Sequence, residues 1–167
     1  HRVEPMRLHT ARLADAEAIR QIYNLEVETS TVTFDMVPRT LDDQQRWIEQ
    51  RSGAHVALVA EDDDGVVTGF GSLSPYRDRP AYSPTVEDSV YVARDRQGEG
   101  VGRMILHGLV EAADAQGFHS VMARIVGGHD ASIRLHAAAG FQVIGTEREV
   151  GRKHRRWLDV VLMQRML

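Results

Sequence analysis

Gly98, Gly100 and Gly102 stand at alternate positions in Arg96-Gln97-Gly98-Glu99-Gly100-Val101-Gly102, after the β-branched run Val90-Tyr91-Val92 and before the amphipathic stretch that begins at Arg103. These residue types at this spacing can hold an anion. Glycine has no Cβ and tolerates positive φ, so the backbone can come close to a ligand. The first N–H groups of a helix lack intrahelical acceptors and lie at the positive end of the helix dipole, which suits phosphate above all. A dinucleotide site needs Gly-x-Gly-x-x-Gly after a first strand, whereas this loop is Gly-x-Gly-x-Gly and lies past the middle of the chain. A Walker loop ends in Gly-Lys-Ser/Thr, and here Gly102 precedes Arg103-Met104. Two readings stay open on these residues alone: a phosphate cradle, or a tight strand-to-helix turn.

The elements that must position this loop follow from periodicity and punctuation. Leu8 to Leu13 reads as a first strand, and Asp15 as the N-cap of a helix burying Ala18, Ile19, Ile22, Tyr23 and Val27. Thr29 to Arg39 is a Thr-rich loop, and Thr40-Leu41-Asp42-Asp43 opens a second helix as a capping box. His55–Glu61 and Val66–Ser74 are strands joined by Asp62-Asp63-Asp64-Gly65, a hairpin signal. After the Pro-rich loop 75–84 come the strand Thr85–Val92, the helix Gly100–Gln116 closed by Gly117, and the strand Ser120–Val126. Asp130 or Ser132 caps a short helix that ends at Gly140. Gln142–Val150 and Trp157–Met163 are the last strands, flanking a basic loop from Gly151 to Arg156. The order βααβββαβαββ describes one mixed α/β sheet and a single domain over 1–167. His1 to Pro5 are set aside as a tag remnant or disordered lead.

Composition narrows the chemistry. The 167 residues suffice for a sizeable core, and 43% hydrophobic with 26% charged is ordinary for a soluble protein. A net charge of −4 gives no case for nucleic acid or an anionic membrane surface. No apolar run reaches the length of a membrane span. The absence of cysteine excludes disulfides, thiolate metal sites and a cysteine nucleophile, and fits a reducing, cytoplasmic setting. Among eight histidines there is no His-x-x-x-His pair, so no metal is expected.

Five stretches carry a resemblance. They are Glu28-Thr29-Ser30-Thr31-Val32-Thr33-Phe34, Val86-Glu87-Asp88-Ser89-Val90-Tyr91-Val92, the glycine loop Arg96 to Gly102, Ala131-Ser132-Ile133-Arg134-Leu135-His136-Ala137-Ala138-Ala139-Gly140-Phe141, and Gly151-Arg152-Lys153-His154-Arg155-Arg156-Trp157-Leu158-Asp159-Val160. In order and content they resemble the GNAT superfamily of acyl-CoA N-acyltransferases, and within it the phosphinothricin and methionine sulfoximine N-acetyltransferase group. The likeness runs from about Leu8 to Leu167. It implies an α/β GNAT fold: a central mixed, mostly antiparallel sheet flanked by helices.

The resemblance also implies roles. Acetyl-CoA is the donor, its pyrophosphate held by Arg96, Gln97, Gly98, Glu99, Gly100, Val101 and Gly102, with Arg103, His129 and Ser132 beside it. Its pantetheine arm pairs with Val90, Tyr91 and Val92, where a backbone N–H can hold the oxyanion. Glu87 matches the general base that frees the attacking amine. Asp88 is the alternative acid, and a solvated carboxylate is the plain alternative to both. His136 matches the group that protonates departing CoA or positions it, though a packing histidine fits the residue equally. A small amine carrying a carboxylate and a polar head would meet Phe34, Arg77, Arg79, Tyr82 and Lys153. Any one of these basic residues can instead be an idle loop charge.

Two positions depart from the pattern: His129 replaces a common asparagine, and Leu158 a common histidine. Glu147-Arg148-Glu149 reads as a solvated strand edge. A homodimer is expected, with no nucleic-acid or membrane partner. Two other functions stay in view. One is acetylation of a different amine (polyamine, aminoglycoside or protein N-terminus), the first two of which would want an acidic acceptor pocket. The other is a non-catalytic acyl-CoA sensor, which would bind cofactor without transfer.

Overall fold

The computed structural model describes residues 6–167, so the expectation for residues 1–5 falls outside it. The elements run β1 (Arg7–Thr10), α1 (Ala16–Thr29), α2 (Leu41–Glu49), β2 (Ala57–Glu61), β3 (Val67–Pro75), β4 (Thr85–Val92), α3 (Val101–Ala115), β5 (Ser120–Val126), α4 (Asp130–Ala138), β6 (Gln142–Lys153) and β7 (Arg156–Met166). This is the order expected. Thr40 caps α2 as its sequence promised, its hydroxyl accepting from the Asp43 N–H while Asp43 accepts from the Thr40 N–H.

Three local expectations need correction. The first strand is shorter than Leu8–Leu13, because residues 13–15 turn as a 3-10 helix. The Asp15 carboxylate accepts from the Arg12 N–H and leaves α1 without a side-chain cap. The helix α4 starts from His129, with neither Asp130 nor Ser132 capping it. The basic loop 151–156 is mostly strand. Gly151, Arg152 and Lys153 pair with Leu158, Trp157 and Arg156, and only His154 and Arg155 turn, at φ 50° and 63°. A two-residue hairpin turn needs positive φ at both positions, and the run of basic residues masks the period-two pattern around it.

The seven strands form one sheet in the order β1-β2-β3-β4-β5-β7-β6. All neighbours are antiparallel except β4 and β5. One face packs on α3, where Ile105, Leu106 and Leu109 meet Leu73, Val86, Val121 and Met163. The other receives α1 and α2, where Ile19, Tyr23, Val27 and Ile48 meet Val59 and Phe70. Successive side chains alternate faces along a strand. In β4, Val86, Asp88, Val90 and Val92 therefore point one way, and Glu87, Ser89 and Tyr91 the other, with Val86, Val90 and Val92 in the α3 core and Tyr91 against the α1 core.

The single parallel contact is short. β4 and β5 pair only at Thr85 with Ser120, Val86 with Val121 and Glu87 with Met122. Beyond these residues the strands diverge, while β5 stays paired with β7 through Val126. Residues 88–92 of β4 thus have an unpaired edge toward β5 among the described residues. At the far side of the sheet, Val143, Ile144 and Val150 of the edge strand β6, with Trp157 of β7, are exposed. No described helix is long and apolar enough to cross a membrane.

Candidate active site

The divergence of β4 from β5 opens a cleft of about 710 Å³ whose walls are the glycine loop, Val90 to Val92, the start of α4 and residues of the Thr-rich loop. Gly98 and Gly100 lie at φ +80° and +84°, and a Cβ on either would meet nothing within 4 Å. The loop therefore opens onto free space at the N-terminus of α3, a turn whose shape can also cradle an anion. A backbone edge with unsatisfied N–H and C=O groups runs from this cradle along β4, a track for an extended, amide-bearing chain.

Most residues expected at the cofactor line this cleft: Val90, Tyr91, Val92, Arg96, Gln97, Gly98, Gly100, Val101, Gly102, Arg103, His129 and Ser132. Glu99 is instead turned to Arg96. The Arg96 guanidinium lies 2.9 Å from Glu99 and 2.8 Å from Asp62 of the β2–β3 turn, so it braces the loop. Those two carboxylates raise its pKa further above the ordinary arginine value. Arg94, not anticipated, pairs with Glu26 at 2.9 Å and with Thr29, tying the end of α1 to the cleft rim.

Two carboxylates stand where the strands part, on opposite faces. Glu87 is half-buried in β4, opposite Ser74 of β3 and Met122 of β5. Burial raises its pKa, Arg124 pulls it back, Asp88 raises it and Arg77 lowers it, leaving a net rise. A carboxylate so tuned is a better proton acceptor than one in water. Asp88 points to the other face and is buried, its Oδ2 lying 2.8 Å from Nε2 of the buried His136. The His136 Nδ1 donates to the Ser132 carbonyl at 2.8 Å. Burial opposes the charged imidazole, but the hydrogen bond and charge of Asp88 outweigh it and raise the histidine pKa. His136 is thus a buried residue engaged through both ring nitrogens.

The Thr-rich loop is pinned over this end of the sheet from several sides. Lys153, buried on β6, donates to the Thr33 carbonyl at 2.9 Å. Burial lowers its pKa, with Asp35 and Glu26 acting the other way. The Tyr23 hydroxyl bonds Thr33 and Asp35, and His129 Nε2 lies 2.9 Å from the Thr31 hydroxyl. The departure at His129 therefore supplies a loop tether. Phe34 lies across Gly151, where an added Cβ would meet its ring at 2.3 Å. Gly151 pairs with Leu158, so the second departure is a buried apolar residue on the face beneath that ring.

The remaining acceptor candidates divide. Arg77 stacks over Tyr76 at 4.8 Å, and Tyr82 meets Tyr76 edge-on at 5.7 Å, so Arg77 and Tyr82 form one exposed cluster. Arg77 is also close enough to Glu87 to lower its pKa. The Arg79 backbone carbonyl accepts from the Tyr82 N–H, and among the described residues no contact brings its side chain to the cluster.

Sequence reasoning missed Arg124, which lines the fork and pairs with Glu147 at 2.8 Å. Glu147 lies on the edge strand β6 as read, with Arg148 and Glu149 exposed beside it, but it is partly covered and paired rather than simply solvated. Its neighbours Arg148 and Glu149 suggest solvent, but the cross-sheet cation comes from β5. Outside the cleft, His9, Asp15 and Glu61 gather within 4.8 Å, yet Arg7 and Arg12 already pair with the two carboxylates.

Comparison with known proteins matches this geometry. Residues 8–162 match the family described as the acetyltransferase (GNAT) domain. The chain is 39% identical over 158 residues to the L-methionine sulfoximine/L-methionine sulfone acetyltransferase of Pseudomonas aeruginosa, covering 94% of this chain and 92% of that one. It is 41% identical over 164 residues to a phosphinothricin N-acetyltransferase of Streptomyces viridochromogenes, covering 96% and 87%. The fold superposes on a GNAT superfamily phosphinothricin acetyltransferase of Sinorhizobium meliloti, solved in complex with acetyl-CoA, with a TM-score of 0.93 and 36% identity over 97% of this chain and 88% of that one.

Proposed function

The chain belongs to the GNAT acetyltransferase family, and from that premise we propose that it acetylates the α-amino group of a small amino-acid analogue of the phosphinothricin, methionine sulfoximine or methionine sulfone type. Donor and acceptor meet in one ternary complex, without a covalent enzyme intermediate, as suits a chain with no cysteine. One observation carries the reading: a glycine cradle, an unpaired β4 edge and the half-buried Glu87 lie in sequence along a single strand-and-loop unit.

Each part of the unit has a task. The N–H groups opening α3 receive the donor's pyrophosphate, and the β4 edge aligns its pantetheine arm. Glu87 takes the proton of the acceptor ammonium, since only the neutral amine attacks a thioester. A β4 backbone N–H holds the developing oxyanion. Arg77, beside Glu87, offers a cation to the acceptor carboxylate, and the pinned loop with Phe34 closes the acceptor side.

The test is release of CoA thiol from acetyl-CoA with phosphinothricin, methionine sulfoximine and methionine sulfone, run beside polyamines and an aminoglycoside. Turnover on at least one amino-acid analogue is expected. Turnover on the polycations alone would sink the acceptor assignment, and acetyl-CoA binding with no transfer would favour the sensor. The homodimer implied by the resemblance would use the exposed β6 and β7 residues, and sedimentation of the purified chain measures it.

Two substitutions separate donor from acceptor effects. Gly100→Ala forces a side chain into the left-handed region at a cost of about 1–2 kcal/mol, and puts a methyl where phosphate would lie. KM for acetyl-CoA is expected to rise roughly tenfold, with acceptor KM little changed. Gly151→Ala drives the Phe34 ring aside. Re-ordering one side chain costs about 1 kcal/mol, so acceptor KM should rise roughly fivefold while donor KM stays put. Initial-rate kinetics in both substrates checks each.

A further inference from the structure

The acceptor class proposed above contains two kinds of head. Methionine sulfone presents neutral oxygens, whereas phosphinothricin presents a phosphinate that is anionic at neutral pH. Both share an α-ammonium and an α-carboxylate, for which Glu87 and Arg77 suffice. A second cation at the same end of the site would tell the two heads apart.

Arg124 is placed to be that cation. On β5, Val121, Ala123 and Ile125 enter the α3 core, so Met122 and Arg124 point to the other face. Met122 pairs with Glu87, the last contact before the strands part. Arg124 stands two residues further on, about 7 Å along the strand, on the face of Glu87, Ser89 and Tyr91. With Ser89 and Tyr91 it lines a narrow crevice of about 50 Å³ in the fork. Burial leads the rise in the Glu87 pKa, and Arg124 is the first charge to oppose it, ahead of Arg77.

Its ion-pair partner among the described residues holds it loosely. Glu147 reaches it at 2.8 Å from β6, with the two side chains 31% and 33% exposed. The Oε1 atom that faces the guanidinium is buried, yet accepts no hydrogen bond among the described residues. The charges touch without the aligned fork that makes an arginine–carboxylate pair strong. A pair this open to water contributes little to stability, so an incoming anion can take the guanidinium from it. Glu147 also adds to a rise in the Arg77 pKa that Tyr76 leads. Each glutamate is thus within reach of both arginines, and a neutral-headed acceptor leaves Arg124 with Glu147.

We propose that Arg124 is a specificity-determining residue that leaves Glu147 to bind the anionic head of the acceptor, so that the chain favours a phosphinate over a sulfone. The inference rests on the acetyl-transfer reading above and names which of its acceptors is preferred. A phosphinate offers two charged oxygens to the guanidinium in place of a misaligned carboxylate. The neutral oxygens of a sulfone are weaker acceptors and do not displace it. Glu147, once released, is solvated at the sheet edge.

The experiment compares kcat/KM for phosphinothricin with kcat/KM for methionine sulfone at one neutral pH. The two acceptors share their ammonium and carboxylate, so effects on Glu87, on donor binding or on the fold cancel in the ratio. In the wild type the ratio should favour phosphinothricin about tenfold. Arg124→Gln should bring it to about one, and Arg124→Lys should keep part of the preference. Glu147→Gln, which frees the guanidinium, should raise the ratio about threefold. A wild type with no preference for phosphinothricin, or Arg124→Gln with the wild-type ratio, overturns the proposal. The second result is what a merely structural arginine would give, since both acceptors would then suffer equally. Should Arg124→Gln fail to fold, Glu147→Gln decides, and a ratio there that is unchanged or lower overturns the proposal. Failure of the transfer reading shows separately, as no thiol release by the wild type with any amino-acid analogue.

Discussion

Glu87→Gln is expected to lower kcat/KM by about 10²- to 10⁴-fold while leaving acetyl-CoA binding intact. The substitution keeps shape and removes only the ability to take a proton. The remaining rate should rise with pH, because solvent hydroxide and a larger fraction of neutral amine replace the missing base. In the wild type the acid limb of kcat/KM should lie above the ordinary carboxylate range, since burial leads the net rise in the Glu87 pKa. Activity is lost as pH falls through that raised value.

Stability should move the opposite way. A carboxyl whose folded pKa is raised stabilises the fold below its unfolded pKa and loses that contribution as pH rises through the folded value. At neutral pH the ionised Glu87 is therefore a net cost. Glu87→Gln should melt at the same temperature as the wild type or higher at pH 7, the gap closing toward pH 4. A residue kept only for structure would show activity and melting temperature falling together. Thiol-release kinetics and thermal melts across pH check both halves.

What could be read from the chain follows the range of the interactions concerned. The strand Thr85–Val92, the cap at Thr40 and the positive-φ turn through Gly98 and Gly100 depend on neighbours within a few residues, and each stands where its local pattern put it. The fork depends on how far two strands separated by α3 stay in register, which no local pattern states. Lys153 meets Thr33 across 120 positions and His136 meets Asp88 across 48. In both cases the partner lies too far along the chain for any local pattern to name it. Asp88 was set beside Glu87 as a rival for one role. The alternation of a strand places them on opposite faces and so allows them different tasks. Glu147 stands on the sheet edge as read, and only its pairing with Arg124 was hidden, because its charged sequence neighbours are not its spatial ones.

The largest loss of stability is expected from a residue that no chemical motif contains. Gly71 of β3 lies opposite Val90, and a Cβ there would meet Ile105 Cγ2 at 2.6 Å, the Ser89 carbonyl oxygen at 2.8 Å and Leu109 Cδ1 at 3.0 Å. Two of these atoms belong to fully buried side chains of α3, and the third is sheet backbone, so nothing nearby is free to yield. Overpacking of this kind costs about 3 kcal/mol, and Gly71→Ala should melt roughly 6–12 °C below the wild type. Gly69, opposite Val92, has the same constraint, with the Tyr91 carbonyl oxygen at 2.9 Å. The two glycines let α3 lie close against β3, the neighbour of the strand β4 that borders the donor cleft. Because α3 also begins at the cradle, pushing it outward would shift the anion site relative to the β4 edge. Gly71→Ala should thus raise KM for acetyl-CoA as well as lower stability. Gly108→Ala is the control. It lies on α3, and the atom that its Cβ would approach most closely, Leu8 Cδ2 at 2.4 Å, is the far end of a partly exposed side chain. That chain can move aside, so donor KM should stay near wild type. Equal donor KM in both variants would mean that the spacing of α3 from the sheet does not set the cleft.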